Sequence, residues 1–238
     1  MKCRKVRTLL DAVAALGFDE LGRSSEGRPI SGRRFGGTGA PLLVMGGIHG
    51  DEPSSVEAVT ALAIRMLAPA RTGASRPLAA PVWVLPVTNP DGIARGSKNS
   101  ARDVDLNRNF PARSFTTDHR PKYFPGPAPL SEPETQLIAA LIAREGVAAV
   151  VAVHAPFACV NYDGPAAAWA EAVAAACGWP AQADIGYPTP GSLGSWLGID
   201  RGLPVLTLEL PARETGLHTD RAAAALDEAV RAVPVYTA

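Results

Sequence analysis

In Gly46-Gly47-Ile48-His49-Gly50-Asp51-Glu52-Pro53 an imidazole and a carboxylate lie three residues apart, just after an apolar run. That pairing could supply two ligands to a zinc ion that keeps one coordination position open for water. The flanking glycines let the backbone turn tightly, and Pro53 suits the first turn of a following helix, where its missing N–H would be unpaired anyway. Ordinary turn residues at a strand-to-helix corner would read the same way, so the weight falls on the rest of the chain. His154 closes the apolar run Val147-Ala148-Ala149-Val150-Val151-Ala152-Val153. Buried there without a partner it would cost about 1–3 kcal/mol. It is therefore either a hydrogen-bonded core histidine or the third member of a two-His, one-Glu set with the fourth position open. Glu209, in Leu206-Thr207-Leu208-Glu209-Leu210-Pro211, is a carboxylate in an otherwise apolar strand. It reads either as a salt-bridge partner, with Arg213 close in sequence, or as a general base whose pKa burial lifts toward that of a zinc-activated water.

The elements that must position these groups alternate in type. A short amphipathic helix from Thr8 to Leu16 is followed by a Gly-, Ser- and Arg-rich stretch, Gly22 to Gly39, with the composition of an edge hairpin. Pro41 to Ile48 and Pro81 to Thr88 read as strands with Val56 to Leu67 as a helix between them. From Asn89 to Leu130 periodicity disappears into Gly, Pro, Asn, Asp and Arg, and so long a loop in a compact domain carries function or is disordered. Ser131-Glu132-Pro133-Glu134 opens a helix with a cap-like serine and a carboxylate three residues on, running to about Arg144. Val147 to Val153 is a strand, with Phe157 to Tyr162 as another and Ala166 to Cys177 as a helix. A Gly- and Pro-rich loop, a short helix through Ser195, Trp196 and Leu197, a strand from Pro204 to Leu210 and a helix from Thr219 to Val233 complete the chain. The expected architecture is an α/β three-layer sandwich: a mixed, mostly parallel central sheet with helices on both faces. His49, His154 and Glu209 all fall at strand ends, where ligands of such sheets bind.

The chain has 238 residues, 47% of them hydrophobic, which is the size of one globular domain, 1–238. Basic and acidic residues balance at 23 each, so no global field recruits nucleic acid or an anionic membrane. Met1 to Arg7 is basic but the apolar stretch after it is broken by Asp11, Asp19 and Glu20, too weak for a signal peptide. Cys3, Cys159 and Cys177 are few and widely spaced, which fits unbridged thiols in a reducing cytoplasm.

Several motifs together extend these readings: Gly47-Ile48-His49-Gly50-Asp51-Glu52, Asn89-Pro90-Asp91-Gly92, Val104-Asp105-Leu106-Asn107-Arg108-Asn109-Phe110-Pro111, His154 and the Glu209 strand. In this order they resemble the zinc metallocarboxypeptidases related to carboxypeptidase A. The resemblance implies one zinc ion on His49, Glu52 and His154, Glu209 as general base, and Asn107 with Arg108 binding the substrate's free carboxylate. A planar guanidinium suits that task, because it grips a carboxylate with two donors. At the position ten residues before Arg108, where the family has an arginine that stabilises the oxyanion, this chain has Lys98, with Arg95 and Arg102 nearby. The loop from Asp184 to Trp196, with His154-Ala155-Pro156, is similar to the murein peptide amidase branch of the family. That branch hydrolyses the γ-D-glutamyl–meso-diaminopimelate bond in cell-wall turnover peptides.

The branch resemblance implies a murein tripeptide or related peptide as substrate and a cytoplasmic recycling role. Tyr187 lies near the place of the tyrosine that closes over carboxypeptidase substrates; alternatively it packs on Pro188 and Pro190. The Ala155-Pro156 bond is expected to be cis, matching the family's cis bond after the third ligand. An aspartoacylase-like deacylase of N-acyl amino acids and a catalytically silent peptide-binding relative are the competing readings. His119 and His218 lack ligand spacing and are expected outside the site.

Overall fold

The computed structural model describes residues 9–68, 78–212 and 219–234. The strands are β1 (Asp19–Arg23), β2 (Pro29–Phe35), β3 (Leu42–Met45), β4 (Val82–Leu85), β5 (Ala149–His154), β6 (Phe157–Asp163), β7 (Ala181–Gln182) and β8 (Val205–Pro211). They form one mixed sheet in the order β1-β2-β4-β3-β5-β8-β6-β7. The central strands β4, β3, β5 and β8 pair in parallel, so their C-terminal ends share one edge. β2 joins β4, and β6 joins β8, in antiparallel pairs. The helices are α1 (residues 9–14), α2 (Pro53–Leu67), α3 (Pro90–Arg95), α4 (Pro133–Glu145), α5 (Ala167–Cys177) and α6 (Thr219–Ala232).

Because side chains alternate along a strand, each central strand feeds two cores. Leu42 and Val44 of β3 pack with Val59 and Leu62 of α2, Val173 of α5 and Leu226 of α6 on one face. Leu43 and Met45 pack with Ile138 and Leu141 of α4, and with Phe110 and Trp196 from the long loops, on the other. This second face holds the site. Along it β5 runs Val150, Ala152, His154, and β8 runs Val205, Thr207, Glu209, with His154 opposite Glu209 in register. Apolar packing thus gives way to ionisable groups toward the C-terminal ends of β5 and β8.

The hairpin expected over Gly22 to Gly39 is present, but it starts at Asp19 and ends at Phe35. Asn89 to Leu130 is not wholly irregular: it contains α3 and a single 3-10 turn, Leu106–Arg108. Asn89 caps α3 by accepting from Gly92 N–H, and Gly96 ends it in the left-handed conformation, so end signals rather than periodicity define this helix. Ser131 is not the cap of α4. Glu132 occupies that position with no side-chain cap bond, and Pro133 is the first helical residue.

The turn carrying His49 is fastened to α3. Asn89 Nδ2 donates to Ile48 O at 3.1 Å, Gly50 N–H donates to Lys98 O at 3.2 Å, and Asn89 N–H donates to Gly47 O at 2.9 Å. A Cβ on Gly50 would sit 1.9 Å from the carbonyl carbon of Gly92, backbone that has nowhere to go. Gly50→Ala is therefore expected to cost on the order of 4 kcal/mol, read as a lowered urea midpoint. A change below about 1 kcal/mol would show that the two segments can part freely.

Candidate active site

Glu52 ends the turn and is the N-cap residue of α2, yet its side chain makes no cap bond. Ser55 ties the corner together instead, accepting from Gly47 N–H at 3.0 Å and donating to Glu52 O at 2.7 Å. The freed carboxylate lies between two imidazoles: Oε1 is 2.7 Å from His49 Nδ1, and Oε2 is 3.1 Å from His154 Nδ1 and accepts from Ala155 N–H at 3.2 Å. The two rings are 4.9 Å apart at their centres. One donor atom from each of the three residues lies within 4.8 Å of the other two.

Asp105, fully buried, holds the far side of His49, with Oδ1 at 3.1 Å from Nε2. The same Oδ1 accepts from Asn107 N–H at 3.0 Å, and Oδ2 accepts from Lys98 Nζ at 2.7 Å. Burial would depress the His49 imidazolium, but the carboxylates of Glu52 and Asp105 outweigh it and push its pKa up to about 9. The same attraction, against burial, holds Glu52 and Asp105 well below the usual carboxylate range.

Glu209 is 5% exposed, and its Oε2 has no hydrogen-bond partner among the described residues. Burial pushes its carboxyl above the ordinary range, partly countered by His154. Arg213, the sequence-level alternative partner, lies outside the described residues. Such an orphaned buried oxygen normally costs about 1–3 kcal/mol, a cost that signals a group kept for a ligand or for chemistry.

Asn107 and Arg108 follow directly from the segment held by Asp105. Leu193 N–H donates to Asn107 Oδ1 at 3.0 Å, which leaves the amide NH2 for a ligand. Arg108 is buried, its NH1 donates to Asn107 O at 2.7 Å, and it forms no salt bridge among the described residues, unlike an ordinary solvated loop arginine. Tyr123 lies under both cations of the site, its ring centre 5.2 Å from Lys98 Nζ and 5.4 Å from the Arg108 guanidinium.

Lys98 is the only one of the three oxyanion candidates whose charge reaches the centre, with Nζ 2.8 Å from His49 Nε2. Arg95 is tied to Glu26 and to Ala101 O, and Arg102 is mostly exposed beside Glu132. Tyr187 lines the cavity with its ring against Phe157 at 6.2 Å, and burial raises its phenol. His49, Glu52, Lys98, Asn107, Arg108, Tyr123, His154, Tyr187 and Glu209 open onto one cavity of about 990 Å3. The Ala155–Pro156 bond is cis, as expected. His119 is exposed, with Nδ1 near Arg120 O, while His218 and Cys3 lie outside the described residues. Cys159 and Cys177 are free and buried.

A sequence model of zinc carboxypeptidases matches residues 15–169. Murein peptide amidase A of Escherichia coli K12 is 35% identical over 214 residues, covering 82% of this chain and 81% of that one. The chain belongs to the zinc carboxypeptidase family. The Vibrio campbellii murein peptide amidase A is 34% identical over 75% of this chain and 73% of its own. The crystal structure of the murein-tripeptide amidase from Escherichia coli O157 superposes with a TM-score of 0.73 at 33% identity, covering 92% and 93% of the two chains. Bovine thrombin-activatable fibrinolysis inhibitor superposes equally well, TM-score 0.74 over 96% and 95%, but at 16% identity this likeness concerns the fold alone.

The donor set suits the metal of this zinc carboxypeptidase family. Two imidazoles and one carboxylate make a three-ligand zinc set with a position left open, and the Nε2 of His49 is anchored by a carboxylate, as metal-bound imidazoles are. The unpartnered oxygen of Glu209 supports the same fit, since a ligand-filled centre is the partner it lacks. Among the described residues no helix is long and apolar enough to cross a membrane.

Sequence reasoning named His49, Glu52, His154, Glu209, Asn107, Arg108, Lys98 and Tyr187, and all of them line this cavity. It gave no role to Asp105 or Tyr123. Asp105 had a usable signal, its place two residues before Asn107, whereas Tyr123 sits in a loop with no periodicity to mark it.

Proposed function

We propose that the protein is an amidase of one catalytic domain that hydrolyses the γ-D-glutamyl–meso-diaminopimelate bond of murein peptides, with a single zinc ion held by His49, Glu52 and His154. The single observation that carries this reading is the convergence of those three side chains with the unpartnered carboxylate of Glu209 in one cavity. The resemblance to murein peptide amidases over most of the chain supports the choice of substrate. The bound ion would lower the pKa of a water and polarise the scissile carbonyl.

Glu209 takes the proton from the attacking water and delivers it to the leaving amine as the C–N bond breaks, freeing a glutamyl carboxylate and the amine of diaminopimelate. Its raised pKa brings it toward that of the activated water, so proton transfer needs little driving force. The Asn107 NH2 and the Arg108 guanidinium bind the free carboxylate of the leaving residue. Lys98 supplies positive charge beside the developing oxyanion, at the position where the family carries arginine. Tyr187, a neutral phenol at working pH, closes over the bound peptide. A cytoplasmic setting suits the unbridged Cys159 and Cys177.

The test compares rates on L-alanyl-γ-D-glutamyl-diaminopimelate, on ordinary peptides with a free C-terminus and on N-acetylaspartate. The murein tripeptide is expected to exceed both in kcat/KM by at least about a hundredfold, a margin of roughly 3 kcal/mol in transition-state binding. Preference for the acylated amino acid would replace this reading with a deacylase.

A further inference from the structure

Tyr123 sits in a stretch without periodicity, yet its place is built. Its own N–H donates to Arg120 O at 3.1 Å and closes a turn in which Lys122 takes the left-handed conformation. The two residues that follow are fastened to the segment carrying Asn107 and Arg108. Asp105 N–H donates to Phe124 O at 2.7 Å, and Asn109 Nδ2 donates to Pro125 O at 2.7 Å. Gly126 makes this close join possible, since a Cβ there would fall 2.8 Å from Asn109 Nδ2 and 2.4 Å from Ser131 Oγ. Bonds at both ends of the 105–109 segment therefore fix Tyr123 as well, half-buried on the cavity wall.

The ring so delivered lies 5.2 Å from Lys98 Nζ and 5.4 Å from the Arg108 guanidinium. Two like charges gathered around one ring repel, and the acid present serves one of them. Asp105 Oδ2 accepts from Lys98 Nζ at 2.7 Å, whereas Arg108 forms no salt bridge among the described residues. A protein carboxylate beside Arg108 would occupy the fork that the substrate's carboxylate needs. The face of an aromatic ring attracts a guanidinium without taking its in-plane N–H donors. Lys98 also keeps a donor in hand: Asp105 Oδ2 and His49 Nε2 engage two of the three on its ammonium.

We propose that Tyr123 is a positioning residue whose ring seats Lys98 and Arg108 as a pair, one cation at the developing oxyanion and the other at the substrate's free carboxylate, with their donors left open. It acts through the two cations, so weakening the ring must damage binding and turnover together. The proposal rests on the amidase reading for the work of each cation and deepens it by naming what spaces them.

The test replaces Tyr123 by phenylalanine, by phenylalanines carrying one, two or three ring fluorines, and by leucine. Fluorine drains the face of the ring while leaving its size nearly unchanged, and leucine has no ring. On L-alanyl-γ-D-glutamyl-diaminopimelate, Tyr123→Phe should retain at least about a third of wild-type kcat/KM, each added fluorine should raise KM and lower kcat further, and Tyr123→Leu should change both by about tenfold. Zinc content should stay near one per chain throughout. A role in folding alone would remove active protein, lowering kcat with KM unchanged and leaving the fluorine series flat. A flat series, an unchanged KM in Tyr123→Leu, or a Tyr123→Phe as damaged as Tyr123→Leu overturns the proposal. Should Tyr123→Leu fail to fold, the fluorine series decides alone. If the wild type does not cleave the tripeptide, the amidase reading fails by itself, and a crystal structure of Tyr123→Leu then decides the seat. A change of rotamer in both Lys98 and Arg108 supports it, and either cation keeping its wild-type position overturns it.

Discussion

Glu209→Gln is expected to lower kcat on the murein tripeptide by about a thousandfold, within the 10²–10⁴ range of general acid–base catalysis, while zinc content stays near one per chain. The amide is close in shape to the acid but cannot take a proton from water. The side chain is 5% exposed with an unpartnered oxygen, so no neighbour stands ready to replace it. The pH profile gives a second reading. Burial holds Glu209 above the ordinary carboxylate range, and the base works only when deprotonated. Wild-type kcat/KM should therefore fall as pH drops through that raised pKa, and Glu209→Gln should lose this acid limb. Near-normal turnover of the variant would remove Glu209 from the reaction.

His154→Ala should abolish both stoichiometric zinc and turnover, because two remaining ligands cannot complete the set. A loss of metal affinity beyond about a hundredfold is expected, larger than removal of an outer partner causes. Metal analysis after dialysis against a weak chelator, with circular dichroism to confirm folding, measures it. Loading should also depend on pH in a defined direction. In the metal-free centre the carboxylates of Glu52 and Asp105 hold a proton on His49 up to about 9. Binding must displace that proton, so apparent affinity should weaken by about tenfold for each pH unit below this value. Full zinc occupancy in His154→Ala would mean that the ion sits elsewhere.

What was legible in the sequence lay where chemistry interrupts a pattern. His154 ends an apolar run and Glu209 breaks one, so both announced themselves, and the His49–Glu52 corner carried its own glycines. The parallel centre of the sheet followed from the alternation of strands and helices. Contributions set by pairing were not legible. Asp163 lines the cavity because β6 lies antiparallel to β8 in one particular register, and no local pattern encodes that choice. Tyr123 gains its place from where a long loop lands between Lys98 and Arg108. Ser131 looked like a cap because its type and its spacing to Glu134 imitate one, yet its hydroxyl donates to Glu132 instead. The helix α3 escaped notice because six residues are too few for a periodic signal.

The alternation along β8 makes this strand tolerant of one kind of change and intolerant of another. Leu206, Leu208 and Leu210 belong to the core under α5 and α6, while Val205, Thr207 and Glu209 face the cavity. Exchanges that keep each side chain's character leave both surfaces intact. Deleting or inserting a single residue ahead of Val205 would turn the strand inside out, pressing the acid into oil and presenting leucines to the peptide. Lineages of this protein should therefore vary freely in length within the neighbouring loops while the spacing inside this short segment stays fixed.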